Sequence, residues 1–252
     1  MFSVRPHLDR LDWGFHQKKA PPNGQEIAYG KHFINITIIT FGAIFTSILL
    51  GVFMGPPVST GGADLAMQVM AAVGVHVFIF FVAFNTEVLN AYATRLNPYV
   101  TLVDWLLDQS INAQLAFTEL GAQALGATMA SALFYAMVNS SPYAYVGATG
   151  IVNTQQGWAF FIEAVATALM AWTIFANRKH ENRVRMALGI AYIVGVTAGF
   201  VYPFIGLTTH SPFRWLANCV PSGACGAPGF WIFFVAPLIG IPLGYFLHVA
   251  TK

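Results

Sequence analysis

The sequence predicts an all-α membrane protein with six transmembrane helices and two further half-helices, arranged as an inverted repeat of three plus three spans. Three observations support this fold class. Charged residues make up only 9% of the 252 residues, whereas a soluble domain carries about 25%. Six apolar stretches are each long enough to cross a bilayer as a helix. Two short proline-containing segments occupy corresponding places in the two halves of the chain.

The composition also excludes several classes of protein. Hydrophobic residues reach 56%, and so few charges could not cover the surface of a soluble enzyme. The net charge is +2, and no basic run is long enough to follow a phosphate backbone, which excludes a nucleic-acid-binding module. No metal-ligand cluster, phosphate-binding motif or nucleophile with its base is visible. We therefore expect no enzymatic activity, no cofactor and no bound metal.

Apolar stretches and polar connections divide the chain into two repeats. We predict a cytosolic tail at residues 1–31, which lacks the apolar core of a signal peptide. The first repeat then covers residues 32–138, a connecting loop 139–157 and the second repeat 158–250. The six predicted spans are His32–Met54, Leu65–Leu89, Ala113–Met137, Trp158–Ala176, Arg185–Phe204 and Phe230–Ala250.

The basic residues predict the orientation in the membrane. With six spans, eleven of the twelve Lys and Arg residues fall on the side of the two termini. The positive-inside rule therefore places both termini on the cytosolic or equivalent side of a membrane that the sequence does not identify. Arg214 is the exception, which makes it a candidate functional residue. Cys219 and Cys225 lie on the same outer side, where free thiols and a local disulfide both remain open.

The two proline-containing segments predict half-helices at residues 97–107 and 211–218. Pro suits the first turn of a helix, and Asn or Ser suits the cap before it. Because each half has an odd number of spans, the half-helices would enter from opposite faces and meet at their N-termini. Positive dipole ends there repel cations, and backbone N–H groups can bind a neutral solute. The predicted pore centre consists of Asn97, Pro98, Tyr99, Ser211, Pro212 and Phe213.

These motifs resemble those of the major intrinsic proteins, the aquaporins and aquaglyceroporins, over about residues 32–250. Residues 97–101 correspond to the family signature Asn-Pro-Ala-Val-Thr, and residues 211–214 to the signature Asn-Pro-Ala-Arg. Three further segments resemble the third, fourth and sixth spans of the family, namely residues 122–127, 161–164 and 231–238. The resemblance implies an aquaporin-like bundle, a homotetramer in a lipid bilayer, and a pore for a small neutral solute in each subunit.

The resemblance also implies roles for individual residues in the pore. Asn97 corresponds to one of two central hydrogen-bond donors, and Arg214 to the cation of the outer selectivity filter. Val77 and Gly199 fall at the other filter positions when counted from the motifs. A filter with these two residues would be wide and apolar, unlike a narrow water filter. This favours a solute larger or less polar than water.

Other polar residues in the spans are candidates for supporting or gating roles. Glu163 and Gln123 correspond to residues that support the half-helices. Glu163 would accept hydrogen bonds from N–H groups of the loop before one of them, and a proton relay is the alternative role for this intramembrane carboxylate. His76 and His210 could line the pore or gate it with pH, since imidazole titrates near neutrality. A purely structural role remains open for both histidines.

Charged side chains around the first half-helix suggest further contacts. Asp104 would lie on that half-helix, where the family usually has an apolar residue, and Arg95 is a candidate partner for it. Glu119 opens an apolar stretch, and we expect it to contact a neighbouring subunit.

The departures from the family signatures leave two functions open. Ser211 replaces the second asparagine, and the bulky Tyr99 and Phe213 replace two alanines where the half-helices meet. The first hypothesis is a passive channel for water or small uncharged, polyol-like solutes. The second is a non-conducting structural subunit of a larger membrane assembly, with the pore plugged by the two rings. The position of these rings distinguishes the two hypotheses.

Overall fold

The computed structural model describes residues 29–54, 74, 95–138, 156–177, 188–189, 192–193, 195–197, 211–213, 216, 229 and 231–251. All regular secondary structure within these residues is helical. The five continuous helices are α1 (Tyr29–Met54), α2 (Pro98–Leu106), α3 (Ala113–Val138), α4 (Gln156–Asn177) and α5 (Ile232–Ala250).

Four of these helices correspond to predicted spans one, three, four and six. Helix α1 begins at Tyr29, three residues before the predicted start. The last three residues of the predicted tail are therefore helical. Among the described residues, three helical segments are long and apolar enough to cross a membrane: Ala113–Met137, Gln156–Asn177 and Ile232–Ala250. Of the second span only position 74 is described, and it is helical. The predicted connecting loop is too long by two residues, because 156 and 157 already belong to α4, and residues 139–155 lie outside the described residues. Both cysteines also lie outside them, and the fifth span is represented only by helical positions between 188 and 197.

The outward faces of the long helices are apolar, which is the reverse of a soluble protein. On α4, Trp158 leaves 61% of its surface exposed, and the stripe continues along the helix with Phe161, Val165, Leu169 and Trp172. The opposite face of α4 is buried and carries small or polar side chains, including Ala159, Glu163, Ala166, Thr167 and Ala168. A helix with large apolar residues outside and polar residues inside is suited to surrounding lipid.

The long helices pack in two pairs, α1 with α3 and α4 with α5. Glycines allow the close approach in each pair, as is common between membrane helices. A Cβ atom on Gly126 of α3 would lie 2.5 Å from the backbone oxygen of Thr37 in α1. A Cβ atom on Gly240 of α5 would lie 2.5 Å from the backbone oxygen of Ala164 in α4. In both halves of the chain, a glycine therefore lets one helix approach the backbone of its neighbour.

Helix α2 is short and contacts one helix from each pair, α3 and α5. Its nine residues extend about 13 Å, less than half of a bilayer's apolar thickness. At its C-terminal end, the Tyr245 hydroxyl of α5 donates a hydrogen bond to Asp108, at 3.2 Å. The short helix thus connects the two pairs within the apolar layer.

Candidate functional site

The N-terminus of α2 has the cap that its sequence predicts. Asn97 is extended, with φ −127° and ψ 123°, and its side-chain oxygen accepts a hydrogen bond from the Tyr99 backbone N–H at 3.0 Å. Pro98 occupies the first turn, where a missing N–H costs nothing. The helix ends at Leu106 with Leu107 as its C-cap, so the predicted limits of 97–107 include both caps.

Capping determines which atom of the Asn97 side chain is engaged by α2. The side-chain oxygen is engaged by the backbone, so the donors that an amide can offer are its two N–H groups. The Asn97 side chain is 91% buried. Its amide is therefore oriented by the helix, and it lies at the positive end of the α2 dipole.

The Tyr99 ring lies between α2 and the α4–α5 pair. Its hydroxyl donates a hydrogen bond to the backbone oxygen of Phe234 in α5, at 3.0 Å. The ring also packs against a buried cluster of side chains from α2, α4 and α5: Val100, Val103, Met170, Ala171, Phe175 and Ile241.

The Phe213 ring packs on the other helix pair. It contacts a cluster on α1 and α3 that consists of Ile44, Ala127, Ala130 and Phe134, together with Phe41 and Phe45. Tyr99 and Phe213 each replace a small residue of the family signatures, and each is half-buried. The two rings are thus held by opposite halves of the protein.

The second proline-containing segment has the expected local start. Ser211 is non-helical and half-buried, Pro212 is buried and helical, and residues 213 and 216 are also helical. Leu216 packs against a buried cluster of α4 and α5 that includes Ala159, Ile232 and Phe233. The predicted filter and gating residues lie outside the described residues: Arg214, Val77, Gly199, His76 and His210.

A cluster of charged side chains surrounds the first half-helix. The Arg95 guanidinium donates to both Glu119 oxygens, from Nε at 2.6 Å and from Nη2 at 2.9 Å. Its Nη1 donates to Asp104 of α2 at 3.1 Å. His32 Nε2 of α1 lies 3.0 Å from Glu119 Oε1. We call Arg95, Glu119, Asp104 and His32 the charged cluster.

Two uncharged side chains complete the contacts of this cluster. Gln123 Nε2 donates to the backbone oxygen of Arg95 and, at 3.1 Å, to the Thr101 hydroxyl. The Thr101 hydroxyl lies 3.4 Å from the backbone oxygen of Asn97. Gln123 therefore contacts both α2 and the segment before it.

The position of Glu119 corrects one expectation from the sequence. Its side chain is fully buried within the subunit, facing Arg95 and His32, and does not face a neighbouring subunit. The expected partnership of Arg95 with Asp104 is confirmed. A carboxylate in an apolar layer requires a compensating charge, and a forked guanidinium supplies one with good geometry.

The Arg95 guanidinium lies between two carboxylates, those of Glu119 and Asp104, which compensate its charge. Removing either partner of a buried pair costs about 3–5 kcal/mol, because the other charge is left uncompensated. The members of the cluster therefore depend on one another.

Glu163 is fully buried on the inner face of α4. The loop before the second half-helix, whose N–H groups it is expected to accept, lies outside the described residues. The buried carboxylates described in the first half of the chain belong to α3 and α2, namely Glu119 and Asp104.

The place of His32 in this site was not predicted from the sequence. The signal for it was present, because His32 shares a helical face with Ile36, Thr40 and Ile44, which are all buried. A histidine on that inward stripe must find a polar partner.

Comparisons with known proteins identify this arrangement. Residues 25–248 match the family model described as major intrinsic protein. A probable TIP-type aquaporin of Antirrhinum majus is 28% identical over 87% of this chain and 89% of that protein. The glycerol uptake facilitator protein-like 6 of Lactiplantibacillus plantarum is 27% identical over 78% of this chain and 92% of that protein.

A solved structure shares the fold. The aquaglyceroporin of Plasmodium falciparum aligns with a TM-score of 0.64 at 19% identity, covering 88% of this chain and 96% of that one. The predicted all-helical, aquaporin-like fold is thereby confirmed.

Proposed function

Since the chain belongs to the major intrinsic protein family, whose members are membrane channels and not enzymes, we propose that it passively conducts water or small uncharged, polyol-like solutes. Flux would follow the concentration gradient without ATP or ion coupling. The observation that carries this proposal is the placement of Tyr99 and Phe213 against opposite helix pairs. Two rings that pack against different helix pairs support an open centre.

Selectivity in this proposal comes from a few groups. The Asn97 amide and the N-terminal dipoles of both half-helices would bind a polar solute and repel cations. Arg214, Val77 and Gly199 would form the outer filter, while Ser211 would offer one hydroxyl in place of an amide. An apolar filter favours polyol-like solutes over water alone.

The membrane setting of the proposed channel follows from the same features. Apolar outer faces of α3, α4 and α5 support burial in a lipid bilayer, in part against further subunits. Members of the family are typically tetrameric, and we propose a homotetramer with a pore in each subunit. The distribution of basic residues supports cytosolic placement of both termini.

Stopped-flow light scattering of proteoliposomes tests this function. Water, glycerol and urea gradients are applied to the wild type and to a Tyr99→Ala/Phe213→Ala double variant, with empty liposomes as the control. We expect wild-type permeability well above the control for at least one solute. A silent wild type beside a permeable double variant would instead support the plugged structural subunit.

A further inference from the structure

Arg95 lies two residues before Asn97 and is fixed at both its backbone and its side chain. Resting on the proposed channel function, we propose that Arg95 is a positioning residue that places Asn97 in the pore and so sets solute selectivity. It does so through the charged cluster, in which Glu119 and Asp104 hold its guanidinium and His32 borders Glu119.

Contacts of both the side chain and the backbone of Arg95 hold the segment before α2 in place. Asp104 lies six residues after Pro98, about 9 Å along the helix axis, so the Arg95 side chain runs beside α2 toward its C-terminus. At the other end of the residue, Gln123 of α3 binds the Arg95 backbone oxygen. Only one residue separates this anchored position from Asn97. Movement of Asn97 relative to α3 therefore requires that the Arg95 contacts break.

The chemistry of the cluster favours positioning over simple stabilisation. A buried ion pair is often no more stabilising than apolar side chains of similar volume, so stability alone does not call for one. Arginine contributes something else here, because its planar fork binds Glu119 through two nitrogens and Asp104 through a third. These three hydrogen bonds define the orientation of the guanidinium. The single ammonium group of a lysine cannot define an orientation in this way.

Four variants test this role in proteoliposomes. Arg95→Met removes the cation, Arg95→Lys keeps the charge without the fork, and Glu119→Gln keeps the shape without the charge. Because a single change can leave a buried charge unpaired and prevent folding, Arg95→Met/Asp104→Asn/Glu119→Gln removes all three charges together. Asp108→Asn is the matched control, since Asp108 follows the same half-helix and binds Tyr245 outside the cluster.

The readout is the ratio of glycerol to water permeability, which a purely structural loss of folded protein would leave unchanged. We expect this ratio to change about tenfold in Arg95→Met and in the triple variant, since a misplacement of about 1 Å can change the rate at a positioned site by as much as about a hundredfold. Arg95→Lys should fall between these and the wild type, and Asp108→Asn should match the wild type.

Hydrogen exchange of the peptide covering residues 95–108 provides a measurement that does not depend on conduction. We expect faster exchange in the cluster variants than in the wild type or Asp108→Asn. A conducting wild type with an unchanged ratio in the folded triple variant would overturn the positioning role alone. A wild type that conducts no solute would refute the channel function and this inference with it.

Discussion

The close contact between α4 and α5 predicts that Gly240→Ala lowers the stability of the protein. Gly240→Ala would place a Cβ atom 2.5 Å from the Ala164 backbone oxygen and 2.9 Å from Thr167 Cβ. Helix propensity alone would stabilise the variant by about 1 kcal/mol. Overpacking costs about 1–3 kcal/mol, and backbone atoms cannot rotate away, so the upper end of that range applies. We therefore expect a net destabilisation of about 1–2 kcal/mol.

The matched control for this change is Gly42→Ala in the middle of α1, where a Cβ atom would meet nothing within 4 Å. That variant gains helix propensity without overpacking and should be slightly more stable than the wild type. Thermal unfolding of both variants in detergent should show a Tm about 5 °C lower for Gly240→Ala and unchanged or higher for Gly42→Ala. Equal or higher Tm values for Gly240→Ala would contradict the close packing of α4 and α5.

Three further predictions concern the pore. Tyr99→Phe removes the hydrogen bond to the Phe234 backbone oxygen and should lower the free energy of unfolding by about 1 kcal/mol. Solute permeability should stay near the wild-type value, because the ring still packs against α4 and α5. Asn97→Ala removes the cap of α2, should cost about 1 kcal/mol, and should lower solute flux, whereas Asn97→Ser should retain most of the stability. Arg214→Ala should raise the permeability to larger solutes and reduce discrimination between glycerol and urea in stopped-flow measurements; unchanged ratios would remove Arg214 from the proposed filter.

The local start of α2 could be predicted because its determinants are adjacent in sequence. Asn97 and Pro98 specify a cap and a first turn by their own chemistry, whatever surrounds them. The long helices could also be predicted, since a stretch of about 20 apolar residues is typical of a transmembrane helix. These features need no knowledge of which helices are neighbours.

Most of the charged cluster could not be predicted in the same way, because its members come from different segments; the pair of Arg95 and Asp104, nine residues apart, is the exception. The partners Arg95 and Glu119 are 24 residues apart, and His32 is 87 residues from Glu119. A carboxylate in an apolar stretch must be compensated, but an intersubunit partner satisfies that need as well as an internal one. One local signal was available: Glu119 shares a buried helical face with Ala116, Ala122 and Gln123. That stripe of small and polar residues indicates the inside of the subunit.

The bulky rings beside the two signatures have a physical consequence for how the half-helices are held. Tyr99 reaches α5 with a ring and a hydrogen bond, contacts that an alanine side chain is too short to make. Phe213 reaches α1 and α3 through a ring alone. Each half-helix start is thereby tied to a helix pair of its own, and the first has the charged cluster in addition. Loss of the Tyr99 hydroxyl should consequently perturb the protein less than loss of the Arg95 fork, since the cluster still anchors α2 when the hydroxyl is gone.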